Sequence, residues 1–82
     1  ELTEDRRKEY IKLARSKAEE GRIAVRNLRR SAKQAFDRAE KDSEISKDDN
    51  TGAEKRLDAL TKKHVDQVDE MLKNKEAELL EV

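Results

Sequence analysis

From residue 2 to residue 41 the apolar and small side chains recur at Ile11, Ala14, Ala18, Gly21, Val25, Leu28, Ala32, Ala35 and Ala39, alternating steps of three and four. That alternation is the period of one helical face. Leu2-Thr3-Glu4-Asp5 supplies a start, with Thr3 placed to cap exposed N–H groups and two acids where the helix dipole favours negative charge. No proline interrupts the pattern, which predicts a first helix over about 3–41, some 55–60 Å long at about 1.5 Å per residue. The segment "KDSEISKDD" breaks the period. Ser46 reads as a second N-cap, with Asp48 and Asp49 in the first turn and Ile45 tucked back as an apolar plug. After a turn over about 42–46, a second helix is predicted over about 47–80. It carries Leu57, Leu60, His64, Val65, Val68, Met71, Leu72 and Leu79 on one side. Gly52 in its first turns costs about 1 kcal/mol relative to alanine. So short a connection forces the helices antiparallel. The expected fold is all-α: a long antiparallel two-helix hairpin, one helical piece over 1–82.

On a helical wheel the apolar positions of the first helix cover an arc wider than one seam. Ala14, Ala18, Val25, Ala32 and Phe36 make one strip, and Tyr10, Leu13, Ala24, Leu28 and Ala35 make a second beside it. Two strips imply two neighbouring helices, and the chain supplies one. The pattern therefore expects two of the three helices of a three-helix bundle, or a homodimer through the open apolar face.

Composition narrows the class. Charged residues make up 49% of the 82 positions and hydrophobic ones 33%, but the signs are mixed and the apolar residues periodic, which favours solvated helices over disorder. No apolar run approaches the roughly 20 residues that cross a bilayer, and no charged-then-apolar leader precedes the first helix. A soluble, cytoplasmic protein with no membrane partner is expected. The formal charge of zero hides an imbalance: residues 21–36 hold five cations and no acid, while residues 37–82 hold nine cations against fourteen acids. Such a block speaks of partners more than the overall charge does.

On the same wheel Lys8, Arg15, Arg22, Arg26, Arg29 and Lys33 fall within about 40° of one line, with Arg30 at about 60°. They form a cationic ridge about 35–40 Å long beside the apolar arc, whose strongest part is bracketed by Glu19 and Asp37. A bland explanation is a solvated bundle face balanced by acids of the second helix. Ordinary solvated faces alternate sign to gain i,i+4 pairs, however, and "RIAVRNLRRSAK" omits every such pair. Its arginines outnumber lysine four to one, which suits bidentate phosphate contact. Tyr10 and Phe36, the only aromatics, both map to the apolar arc, so no stacking platform for single-stranded bases exists. No DNA-reading motif is present, so no DNA partner is expected. A rigid arginine ridge fits recognition of folded RNA by shape and phosphate position.

Little points to catalysis. His64 has Leu60, Thr61, Gln67 and Val68 as helical neighbours, none a carboxylate, and is expected to pack. With no cysteine and one histidine, a zinc site or a Cys–His or Ser–His triad is not expected. The run "DDNTG" fails as a calcium loop, because Gly52 at position six puts Lys47 at position one and Asp58 at position twelve. No glycine-rich phosphate loop occurs. No enzyme, metal or cofactor is expected.

The blocks "LTEDRRKEYIKLARSKAEEGRIAVRNLRR", "EISKDD" and "KNKEAELLEV" resemble, in register, the C-terminal part of ribosome recycling factor. The resemblance covers essentially the whole chain. It implies a tRNA-shaped factor in which a small β domain is inserted between the first and second helices of a three-helix bundle. Such a factor is not itself an enzyme and, with elongation factor G, splits post-termination ribosomes for another round of translation. It also implies a bundle lying along large ribosomal subunit RNA, contacted through Arg7 of the "RRKE" block and Arg26 and Arg29 of the "VRNLRR" block, with Arg22, Arg30 and Lys33 as additional contacts. The first bundle helix and the β domain would then lie outside these 82 residues. The competing expectation is a structural helical hairpin, a coiled-coil module that dimerises through its open face.

Overall fold

Thr3 adopts an extended conformation, and its Oγ1 accepts a hydrogen bond from the Arg6 amide at 3.2 Å, which starts the first helix with Glu4 and Asp5 in its first turn. In the computed structural model, which describes residues 2–81, this helix, α1, spans Glu4–Lys41. Glu1 and Val82, the ends of the expected piece, lie outside the described residues. The exit from α1 is a Schellman motif: the Glu44 amide donates to the Ala39 carbonyl at 2.8 Å and the Ser43 amide to the Glu40 carbonyl at 3.0 Å. Ser43 holds the left-handed position at φ 60°, which glycine usually fills. The next helix, α2, spans Lys47–Glu81. It starts on a reciprocal capping box in which Ser46 Oγ accepts from the Asp49 amide at 3.0 Å and Asp49 Oδ2 accepts from the Ser46 amide at 3.3 Å.

Cross-helix contacts run antiparallel, from Arg15 with Glu76 at the open end to Lys33 with Glu54 near the turn, in a hairpin measuring 60 × 15 × 10 Å. Among the described residues there is no strand. The helices meet along the first of the two apolar strips. Ile11, Ala14, Ala18, Val25, Ala32 and Phe36 of α1 are buried or half-buried, as are Leu57, Thr61, Val65, Val68, Leu72 and Leu79 of α2. Gly21 sits on this seam, and a Cβ there would lie 3.8 Å from the nearest Val68 methyl, an ordinary contact distance.

The second strip stays in solvent. Leu13 is 54% exposed, Leu28 71% and Met71 70%, with Tyr10 and Leu60 also exposed. Two α1 positions and three α2 positions of the single-face pattern thus change sides: Leu28, Ala35, Leu60, His64 and Met71 are exposed. Their places on the seam go to residues one position further along, Arg29, Phe36, Thr61, Val65 and Leu72. His64 is therefore not a core residue; its Nδ1 lies 3.2 Å from Gln67 Oε1 at the surface. Among the described residues one buried position is polar: Asn50, 5% exposed, on the first turns of α2.

Candidate nucleic-acid interface

The ridge lies along one edge of the seam, which decides what each cation can do. Lys8, Arg15, Arg22 and Arg29 are seven residues apart, so they stack on one line of α1, and the last three of them face α2. Three of these four meet a carboxylate across the interface. Arg15 Nε donates to Glu76 Oε1 at 2.6 Å. Nε and Nη2 of Arg22 share Asp69 Oδ1 at 2.7 Å, and its Nη1 donates to Glu19 Oε2 at 3.1 Å. Nε and Nη2 of Arg29 share Asp58 Oδ1 at 2.8 Å, with Glu54 Oε1 further off at 3.6 Å. The hydrogen bonds to Glu76 and Asp69 hold the Arg15 and Arg22 guanidinium groups above their ordinary pKa.

Lys33 is the most enclosed by acceptors. Its ammonium lies 2.9 Å from Asp37, 3.0 Å from Glu54 and 3.5 Å from Asn50 Oδ1. Hydrogen bonds to Asp37 and then Glu54 raise its pKa. Asn50 closes the network by donating through Nδ2 to Asp37 Oδ1 and Glu40 Oε1, both at 3.0 Å. The Asp37 carboxyl is lowered by the bond from Asn50 and then by the one from Lys33.

The six residues singled out from the sequence thus fall into distinct settings. Arg26 is exposed and makes no side-chain bond or ion pair among the described residues. Arg30 is exposed, and its Nη1 donates only to Asn27 Oδ1, one turn back, at 3.1 Å. Arg29 has one edge of its guanidinium on Asp58 and the Nη1 side open. Arg22 and Lys33 are committed to acids across the seam and on their own helix. Arg7 belongs to the packing strip rather than the ridge: its side chain is half-buried, 3.7 Å from Glu4. The outcome joins both descriptions of the ridge, because acids of α2 balance one line of cations while Arg26 and Arg30, turned outward from that line, remain unbalanced.

The partners Glu54, Asp58, Asp69 and Glu76, and the buried Asn50, were not singled out as functional from the sequence. A signal for two of them exists: Asp69 and Glu76 are seven residues apart, matching the spacing of Arg15 and Arg22. Among the described residues no group of His, Cys, Asp and Glu is placed to hold a metal ion, and no helix is long and apolar enough to cross a membrane.

Comparison with known proteins identifies what this arrangement resembles. The family model described as ribosome recycling factor matches residues 1–80. A ribosome-recycling factor of Nocardioides sp. is 76% identical over 82 residues, which is 100% of this chain and 44% of that protein. Proteins of the same name from Micrococcus luteus and Cutibacterium acnes are 63% and 62% identical, over 100% and 99% of this chain and 44% of their own lengths. The chain thus spans less than half the length of these curated relatives.

Proposed function

The chain belongs to the ribosome recycling factor family, and from that premise we propose that it is the part that faces ribosomal RNA, a binding module and not a catalyst. The observation that carries this reading is the group Arg26, Arg29 and Arg30. It comes from a segment with five cations and no acid and keeps guanidinium edges open after the interhelical pairs are formed. Folded RNA of the large ribosomal subunit is the partner this group suits, since open arginine forks on a rigid helix read phosphate position and ask for no unpaired base. Arg22 and Lys33, each balanced by two carboxylates, add contacts only where a phosphate takes the place of one of those acids, and Arg7, off the ridge on the packing strip, serves a second contact region. In a full-length factor this module works in the cytoplasm with elongation factor G to split post-termination ribosomes, and a third bundle helix covers the open strip of Leu13, Leu28, Leu60 and Met71.

The test is binding of the chain to isolated large ribosomal subunits across a salt series. Each phosphate contact removed lowers the slope of log affinity against log salt by about one. Arg26→Ala and Arg29→Ala are each expected to weaken binding and flatten that slope with helicity unchanged. Wild-type affinity and slope in both variants would remove the RNA-facing assignment.

The exposed strip favours a second reading, a hairpin that pairs with a copy of itself. Sedimentation over a concentration range decides it. A dimer abolished by Met71→Lys but indifferent to Arg26→Ala supports self-association through this face, and a monomer at every concentration excludes it.

A further inference from the structure

Arg22 and Arg29 occupy equivalent places on α1, one heptad apart, and each sets Nε and Nη2 on a single carboxylate oxygen of α2. They differ in what is left. The second edge of Arg22 is used by Glu19, while the corresponding Nη1 of Arg29 donates to no side chain among the described residues. A guanidinium held by its Nε–Nη2 edge still offers the Nη1–Nη2 edge, a second flat fork of the right width for two phosphate oxygens. Glu54 Oε1 is ion-paired with Nη2 at 3.6 Å but forms no hydrogen bond to it, its other oxygen being bound to Lys33 at 3.0 Å, so the Nη1 side of the fork is the part left open.

We infer that Asp58 is a positioning residue for the RNA contact of Arg29, orienting the guanidinium so that its open edge faces outward from the hairpin. The inference rests on the RNA-facing reading of the ridge and adds to it a residue of the wrong charge for phosphate. An unpaired arginine at the exposed edge of a helix seam samples several rotamers and loses that freedom on docking. Asp58 imposes the loss beforehand, within the fold. The contact need not be broken for a phosphate to arrive, since the two anions use different edges. If Asp58 were instead a competitor for the same edge, its removal would release Arg29 and tighten binding. Simple electrostatics gives that second sign too, so the two accounts predict opposite outcomes.

The experiment measures affinity of the chain for large ribosomal subunits by fluorescence anisotropy, with helicity followed by circular dichroism. Asp58→Ala is expected to bind about fivefold more weakly, within the range of couplings between contacting residues, although the chain has become more positive. Asp58→Asn, which keeps an acceptor oxygen for Nε and Nη2, is expected to restore binding. Glu76→Ala removes an interhelical pair of the same kind at Arg15, outside the proposed contact, and is expected to bind as wild type. In an Arg29→Ala background, Asp58→Ala is expected to have no further effect.

Tighter or unchanged binding by Asp58→Ala overturns the inference, as does an equal loss in the Arg29→Ala background. The RNA-facing reading fails separately: if Arg26→Ala weakens binding and the Asp58 series does not, only the positioning role falls. If neither Arg26→Ala nor Arg29→Ala weakens it, both fall.

Discussion

The side-chain amide of Asn50, a buried residue, donates to Asp37 Oδ1 at 3.0 Å, joining the first turns of α2 to the last turns of α1 through a part-buried polar bond. The same amide reaches Glu40 Oε1, and its oxygen receives Lys33, so one small side chain ties three residues of α1 to the start of α2. A buried amide with its partners in place costs little; the same partners without it are left half-satisfied. Asn50→Ala is therefore expected to destabilise the hairpin by about 1–3 kcal/mol, read as a lower urea midpoint in circular dichroism. An unchanged midpoint would mean that water replaces the amide at no cost.

The network also predicts the acid limb of the stability profile. Asp37 has its pKa lowered from the ordinary 3.8, first by Asn50 and then by Lys33. A carboxyl with a folded pKa below its unfolded one contributes stability that is complete above the unfolded value and lost as pH falls through the folded value. Thermal melts are thus expected to hold level from neutrality to about pH 5 as far as this group is concerned, and to fall below pH 4. In Asn50→Ala the part of that fall due to Asp37 shrinks, because the main cause of its shift is gone. Identical acid limbs in the two proteins would contradict the assignment.

Ser43 offers a gain. Its φ of 60° places a residue with a Cβ in the left-handed region, at a position where the Schellman geometry favours glycine. Ser43→Gly is expected to raise stability by about 1 kcal/mol, measured as a higher midpoint with unchanged slope. A loss of stability would mean that the serine hydroxyl supports the turn more than its backbone strains it.

Gly21 offers the converse. It lies inside α1 with helical backbone and faces Val68, where an added methyl group meets the valine at ordinary contact distance. Gly21→Ala is expected to stabilise by about 0.5–1 kcal/mol through helix propensity. A destabilised variant would show that the helices cannot accommodate even that volume.

These four positions also mark how far the sequence could be read. The hairpin followed from the three-and-four spacing, from the cap residues Thr3 and Ser46, and from a break too short for anything but reversal. The surplus of apolar surface was legible too, as two strips where one helix was available. Which strip would be buried was not, because a wheel of α1 alone treats Val25 and Leu28 alike; only the facing side chains of α2 choose between them. The same limit hid Asp58. An ion pair within one helix is visible as a spacing, but a pair between helices depends on the axial register, which no single helix carries. His64 was misplaced for this reason: it sits beside Val65 in sequence, and one step of about 100° separates the seam from solvent.

The pairs Arg15–Glu76 and Arg22–Asp69 are spaced like rungs along a molecule 60 Å long. Sliding one helix against the other by a single residue, about 1.5 Å, brings a side chain about 100° around the axis to each rung. Both rungs would be strained together. The two pairs therefore fix one and the same axial register, each repeating seven residues on what the other specifies.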